Sequence, residues 1–102
     1  MSEVSLEETA PGRLQIRGDL TFATAAAVWK TSRRLLAKAD REITVDLSGV
    51  RRADSAGLAL LVEWLRLAKK RKLHLTLANL PAQLQAMARA YDLENLLPIR
   101  HG

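Results

Sequence analysis

Across the short stretch Arg52-Ala53-Asp54-Ser55-Ala56-Gly57 the spacing of apolar residues changes from every second position to every third or fourth. Before it, Ile43-Thr44-Val45-Asp46-Leu47 alternates apolar with polar residues, the period of a strand with one buried face. After it, Leu58, Leu61, Val62, Leu65 and Ala68 recur at helical spacing. A strand therefore passes through a short loop into a long helix. Asp54 and Ser55 stand at the start of that helix, where the first N–H groups lack intrahelical partners and the dipole is positive.

The flanking segments extend the pattern in both directions. Val4 to Glu8 reads as a first strand, Pro11-Gly12 as a turn, and Arg13-Leu14-Gln15-Ile16-Arg17 as a second strand ended by Gly18-Asp19. From Thr21 to Ala39, Ala25, Val28, Trp29, Leu35 and Leu36 fall on one side of a helix that Thr21 or Thr24 is placed to cap. Leu73-His74-Leu75-Thr76-Leu77 alternates as a fourth strand, with His74 turned away from the leucines. Pro81 suits the first position of a third helix, in which Leu84, Met87, Ala88 and Tyr91 share a face. Leu93, Leu96, Leu97 and Pro98 are expected to fold back over the core edge, and Arg100-His101-Gly102 to fray.

Three strands are apolar on one face only, whereas strands covered on both sides read as continuous apolar runs. The helices must then lie mainly on one face. With right-handed crossovers the expected fold is α/β: a four-stranded mixed sheet in the order β-β-α-β-α-β-α. The 102 residues suit a single domain, 1–102.

Composition removes several classes of function. With no cysteine there is no disulfide, thiol nucleophile or thiolate metal site, and His74 and His101 alone make no convincing metal centre. No run is long and apolar enough to span a bilayer, and no leader is evident, so the expected compartment is the cytoplasm. The net charge of +5 and pI of 10.2 owe much to Lys69-Lys70-Arg71-Lys72, a helix end where cations oppose the negative pole of the dipole. No aromatic residues interleave these cations, so they read as a solvated cap and not as a nucleic-acid patch.

Asp54-Ser55-Ala56-Gly57 superficially echoes a hydrolase nucleophile, but such a serine needs a base within hydrogen-bond reach. His74 is on the polar face of its strand and His101 in the tail, so no catalytic apparatus and no cofactor is expected. Ser55 reads first as an N-cap, and Gly57 as a place of close packing. With Leu58, Leu61, Val62 and Leu65 set against the sheet, Leu60 and Leu67 fall on the opposite side and Trp64 on the flank. That apolar outer stripe, joined to Ser55, is the expected partner surface, which needs roughly 800 Å² per side for a stable complex.

The residues Val45-Asp46-Leu47-Ser48-Gly49-Val50 and Ala53-Asp54-Ser55-Ala56-Gly57-Leu58, with the helix and Leu73 to Leu77, resemble a STAS domain, the fold of anti-sigma-factor antagonists and of sulfate-transporter tails. Val28-Trp29, Gly57-Leu58-Ala59-Leu60-Leu61, Leu67-Ala68-Lys69-Lys70 and Ala88-Arg89-Ala90-Tyr91-Asp92-Leu93 look most like the small STAS subunit of the Mla-type phospholipid-transport ABC system. That resemblance implies a non-enzymatic protein bound to the transporter ATPase, peripheral at the inner membrane through the complex and not inserted in it. It implies a partner site at Asp54, Ser55, Ala56, Gly57, Leu60, Trp64 and Leu67. Serine at position 55, where relatives of that subunit carry threonine, implies a second reading: an anti-sigma-factor antagonist that binds an anti-sigma kinase and is switched by phosphorylation of Ser55.

Overall fold

The alternation from Leu14 to Leu77 is the buried face of a four-stranded sheet. In a computed structural model that describes residues 3–100, the strands are β1 (Val4–Ala10), β2 (Arg13–Leu20), β3 (Glu42–Ala53) and β4 (His74–Ala78), the helices α1 (Ala25–Lys38), α2 (Ser55–Lys70) and α3 (Ala82–Ala90). The sheet order is β1-β2-β3-β4. The hairpin β1–β2 is antiparallel and turns at Pro11-Gly12; β2–β3 and β3–β4 are parallel. His101 and Gly102, part of the tail expected to fray, lie outside the described residues.

One face of the sheet supplies Leu14, Ile16, Ile43, Val45, Leu47, Leu75 and Leu77 to a single core with Val28, Leu36, Leu61, Trp64, Leu84 and Ala88 from the helices. Each such side chain contributes roughly 1.5–3 kcal/mol by leaving water. The other face is polar, with Arg13, Arg17, Ser48 and His74 exposed. Asp46 ties its centre together, accepting from Ser48 N at 2.9 Å and Asn79 Nδ2 at 3.0 Å and pairing with Arg13 at 3.5 Å. Burial pushes the Asp46 carboxyl up, but the Asn79 and Ser48 hydrogen bonds and the Arg13 charge outweigh it, and its pKa lies below the ordinary value.

Two strands run further than their alternation suggests. β2 continues through Gly18 to Leu20, and β3 continues from Leu47 to Ala53. The reason is a pair of register shifts: Gln15 and Arg17 oppose Asp46 and Gly49, and Gly18 and Asp19 oppose Val50 and Arg52. Each gives β3 one extra residue, and each extra residue reverses which parity faces the core. The buried series thus runs Ile43, Val45, Leu47, Val50, Ala53, which no simple alternation would reveal. At the first shift a Cβ on Gly49 would stand 2.8 Å from the Ile16 carbonyl oxygen, so the close approach of β2 requires glycine there.

Helix α2 is the central helix, and its phase corrects the sequence reading. Its most buried residues are Leu61 and Trp64 at 0% exposure, Ala68 at 1%, Leu60 at 4% and Leu58 at 5%. Val62 and Leu65, expected against the sheet, are half-buried, as is Leu67. Leu60 and Trp64 are therefore core and not an outer stripe, because α1 packs along that side of α2 while α3 flanks the other. Trp64 Nε1 donates to Ser32 Oγ at 2.7 Å, and Ser32 Oγ donates to Trp29 O at 3.0 Å, so the α1–α2 seam is pinned by a buried polar chain.

The helix ends also differ from expectation. α1 starts after Thr24, whose side chain makes no capping bond and instead donates to Asp19 O at 2.7 Å. Pro81 precedes α3 in an extended conformation instead of beginning it. Tyr91 lies just past the end of α3 and is 64% exposed, so it does not share the buried face of Leu84 and Ala88. Both α2 and α3 close with the same device: Leu73 N donates to Ala68 O and Lys72 N to Lys69 O, as Leu93 N does to Ala88 O and Asp92 N to Arg89 O. Lys72 at φ 59 and Asp92 at φ 57 take the left-handed position usually given to glycine. The tail folds back as expected, burying Leu97 but leaving Leu96 exposed, and its backbone bonds Leu77 through Pro98 O and Arg100 N, which covers the free edge of β4.

Candidate functional site at the start of helix α2

Only Asp54 separates β3 from α2, and its side chain organises the junction. Oδ1 accepts from Ala56 N at 2.9 Å, so Asp54 and not Ser55 is the N-cap. Oδ2 accepts from Phe22 N at 3.1 Å, and Asp54 N donates to Leu20 O at 3.3 Å. The carboxylate thereby clamps the segment between β2 and α1 onto the start of α2. Gly57 allows the clamp to close: a Cβ there would sit 2.6 Å from Leu20 O, a backbone atom with nowhere to move.

With the cap supplied by Asp54, Ser55 becomes the first helical residue, exposed and turned outward at the positive end of the dipole. Ser55 lies between two hollows. One, of about 580 Å³ along the α1–α2 seam, is lined by Phe22, Ala25, Ala26, Trp29, Ser55, Ala56, Ala59, Leu60 and Glu63. The other, of about 370 Å³ toward α3, is lined by Ser55, Leu58, Ala59, Val62, Tyr91 and Leu93. Phe22 and Tyr91, among the large apolar side chains left exposed, at 78% and 64%, stand on the two sides. Exposed aromatics gathered around a concave apolar surface mark contact sites more often than chance placement does.

Of the seven residues expected at the site, the structure brings Ser55, Ala56 and the edge of Leu60 to this surface, while Asp54 stands beside it as the cap that holds Ala56 and Phe22 in place. Gly57 lies beneath it and Trp64 in the core, while Leu67 lines an adjoining hollow with Arg66 and Lys70. Sequence reasoning missed Phe22 and Ala59. The signal for Ala59 was its spacing four residues from Ser55; Phe22, in an irregular segment, carried no periodic signal. His74 is exposed on the polar sheet face. Among the described residues no group of histidine, cysteine, aspartate and glutamate is arranged to hold a metal ion, and no helix is long and apolar enough to cross a membrane.

Residues 6–98 match the family described as Mlab, STAS domain. A search of curated proteins found no match. Among solved structures, the fold resembles a candidate anti-sigma factor antagonist from Thermotoga maritima, with a TM-score of 0.78 and 17% identity over 96% of this chain and 86% of that one. It also resembles the anti-sigma factor antagonist SpoIIAA in its unphosphorylated form, with a TM-score of 0.73 and 16% identity over 97% and 89% of the two chains. A sulfate transporter family protein from Wolinella succinogenes gives 0.70 and 17% over 91% and 80%. At these identities the likeness is one of fold.

Proposed function

The chain belongs to the Mlab STAS domain family, and from that membership we propose that it is a non-enzymatic subunit that binds the ATPase of a phospholipid-transporting ABC complex and supports its assembly or activity. In this reading the chain works as one STAS domain. It is cytoplasmic, held at the inner membrane through the complex, and contributes to outer-membrane lipid asymmetry. The observation that carries the docking site is the apolar surface around Ser55, with Phe22 and Tyr91 exposed on either side of the α2 start. Ser55 supplies its hydroxyl, the Asp54 cap fixes the turn beside it at Ala56, and Gly57 keeps the backbone close enough to β2 for that turn to hold its shape.

A second reading is favoured by the fold neighbours: an anti-sigma-factor antagonist that binds a kinase-like anti-sigma factor. The exposed Ser55 hydroxyl at the first position of α2 would accept a phosphoryl group without harm to the helix, since anions favour that end. The added charge would then spoil an apolar contact and release the partner.

Titration of the purified chain against the ATPase subunit from the same host, and separately against a kinase-like anti-sigma factor, tests the choice. Saturable binding to the ATPase that Ser55→Glu weakens supports the first reading. Binding to the kinase alone, with transfer of phosphate to Ser55, replaces it with the second. Binding to neither defeats both.

A further inference from the structure

The exposed strip of α2 does not stop at Ala59. Half-buried Val62 and Glu63 continue it to exposed Arg66 and Lys70. A hollow lined by Trp29, Glu63, Arg66, Leu67 and Lys70 shares Trp29 and Glu63 with the larger hollow beside Ser55. Together they form one trough along the α1–α2 seam, roughly 22 Å long if it follows α2 from end to end at about 1.5 Å per residue.

The two ends of the trough differ in chemistry. Beside Ser55 its walls are Phe22, Ala25, Ala26, Ala56 and Ala59 over Leu60. Toward Lys70 the surroundings are cationic. α1 carries Lys30, Arg33, Arg34 and Lys38 with no acidic residue, and α2 carries Arg66, Lys69 and Lys70 against Glu63 alone, which Arg66 holds at 3.0 Å. The positive excess of the chain therefore sits on these two helices. Exposed Arg33 follows Trp29 by one turn on the same row of α1, adding a cation at the Lys70 end.

We propose that this trough takes an acidic amphipathic helix of the protein partner, with its apolar residues in the alanine-walled half beside Ser55 and its carboxylates toward Arg33, Arg66 and Lys70. The inference rests on the reading of the chain as a partner-binding subunit and adds the chemistry of the segment it binds. Shape decides for a helix over an anionic bilayer. Leu60, nearly buried, lies at the floor of the hollow and exposed Phe22 at its rim, and a concave apolar surface suits a rod about 10 Å across better than a flat lipid surface. Charge decides the sign of the partner, since apolar grooves recognise helices by spaced anchors and opposite charges set orientation and encounter rate.

The test uses the purified ATPase subunit as probe, with wild type, Ser55→Glu and the double variant Arg33→Glu with Lys70→Glu, at low and high salt and with melting curves for each. The double variant should bind roughly tenfold more weakly at low ionic strength, with the difference closing as salt rises, and should melt as wild type does. Arg33→Gln with Lys70→Gln, which should show a smaller loss of the same kind, keeps the test readable if the reversed charges disturb folding. A photo-crosslinking residue in place of Ala26 should attach to a partner segment with helical apolar spacing and acidic residues. If Ser55→Glu weakens binding while both double variants keep wild-type affinity and salt dependence, the acidic helix is refuted and the partner-binding reading stands. A crosslinked segment without acidic residues refutes it as well. Loss of binding in none of the variants removes both. Retention of the wild type on phosphatidylglycerol-containing vesicles, abolished in the double variants, would show that the trough serves a lipid surface instead.

Discussion

Ser32→Ala removes the hydroxyl to which the buried Trp64 indole donates at 2.7 Å. Both residues are fully buried, so water cannot replace the lost acceptor without opening the seam between α1 and α2. An orphaned buried donor costs about 1–3 kcal/mol. Alanine returns part of this, about half a kcal/mol, through its better helix propensity. The second lost bond, from Ser32 Oγ to Trp29 O, adds little, since that carbonyl lies within α1. The net expectation is a loss of about 0.5–2.5 kcal/mol, which for a chain of this size lowers Tm by roughly 4–8 °C per kcal/mol. In a Trp64→Phe background the donor is absent, and the same Ser32→Ala change should then be close to neutral. Urea unfolding followed by circular dichroism for the two single variants and the double variant gives the coupling directly. The reasoning fails if Ser32→Ala costs less than about 0.5 kcal/mol in wild type, the range of surface changes, or costs as much beside Phe as beside Trp.

Three further outcomes are expected. Leu60→Asp, placed in the core at the base of the trough, should destabilise by about 3 kcal/mol or more, and a variant that unfolds with wild-type stability would restore the outer-stripe reading of Leu60. Lys72→Gly should stabilise by about 0.5–1 kcal/mol, because its left-handed conformation at φ 59 strains any side chain; a measured loss of stability would show that the lysine side chain matters to the α2 terminus. Asp46, whose pKa is lowered in the folded chain, binds its proton more readily when unfolded, so its contribution is present above the ordinary carboxylate range and disappears as pH falls through the folded pKa. Asp46→Asn should therefore shrink the acid-side fall in stability, and an unchanged pH profile would assign that fall to other carboxylates.

Much of this architecture can be read from the chain because a strand with one wet face records its orientation at every second residue. Leu14, Ile16, Ile43, Val45, Leu75 and Leu77 did so, and the helix order followed. The record breaks where β3 bulges, since each extra residue near Gly49 and Arg52 reverses parity. Helix phase is a weaker record. α2 has neighbours on both sides, so apolar residues occupy most of its circumference: Leu58, Leu61 and Ala68 are buried as their spacing suggests, but Gly57, Leu60 and Trp64 are buried with them in place of Val62 and Leu65. At the site, the importance of the Asp54-Ser55 junction was legible from the change of period. The division of labour was not. Asp54 caps through Ala56 N two residues on, while its second oxygen takes Phe22 N from thirty-two residues away in sequence, a contact that local spacing cannot express.

A partner docked on the surface around Ser55 leaves a footprint that can be read residue by residue. The most direct measurement is a titration of isotopically labelled chain with the unlabelled ATPase subunit, followed by the amide resonances along the whole backbone. Perturbation should concentrate at Phe22, Ala26, Ser55, Ala56, Ala59 and Tyr91, with β1 and the polar sheet face at Arg13, Arg17 and His74 unchanged. Saturable binding whose perturbations fall on β1 or on that polar face, and leave Ser55 and Ala59 untouched, would contradict docking around Ser55.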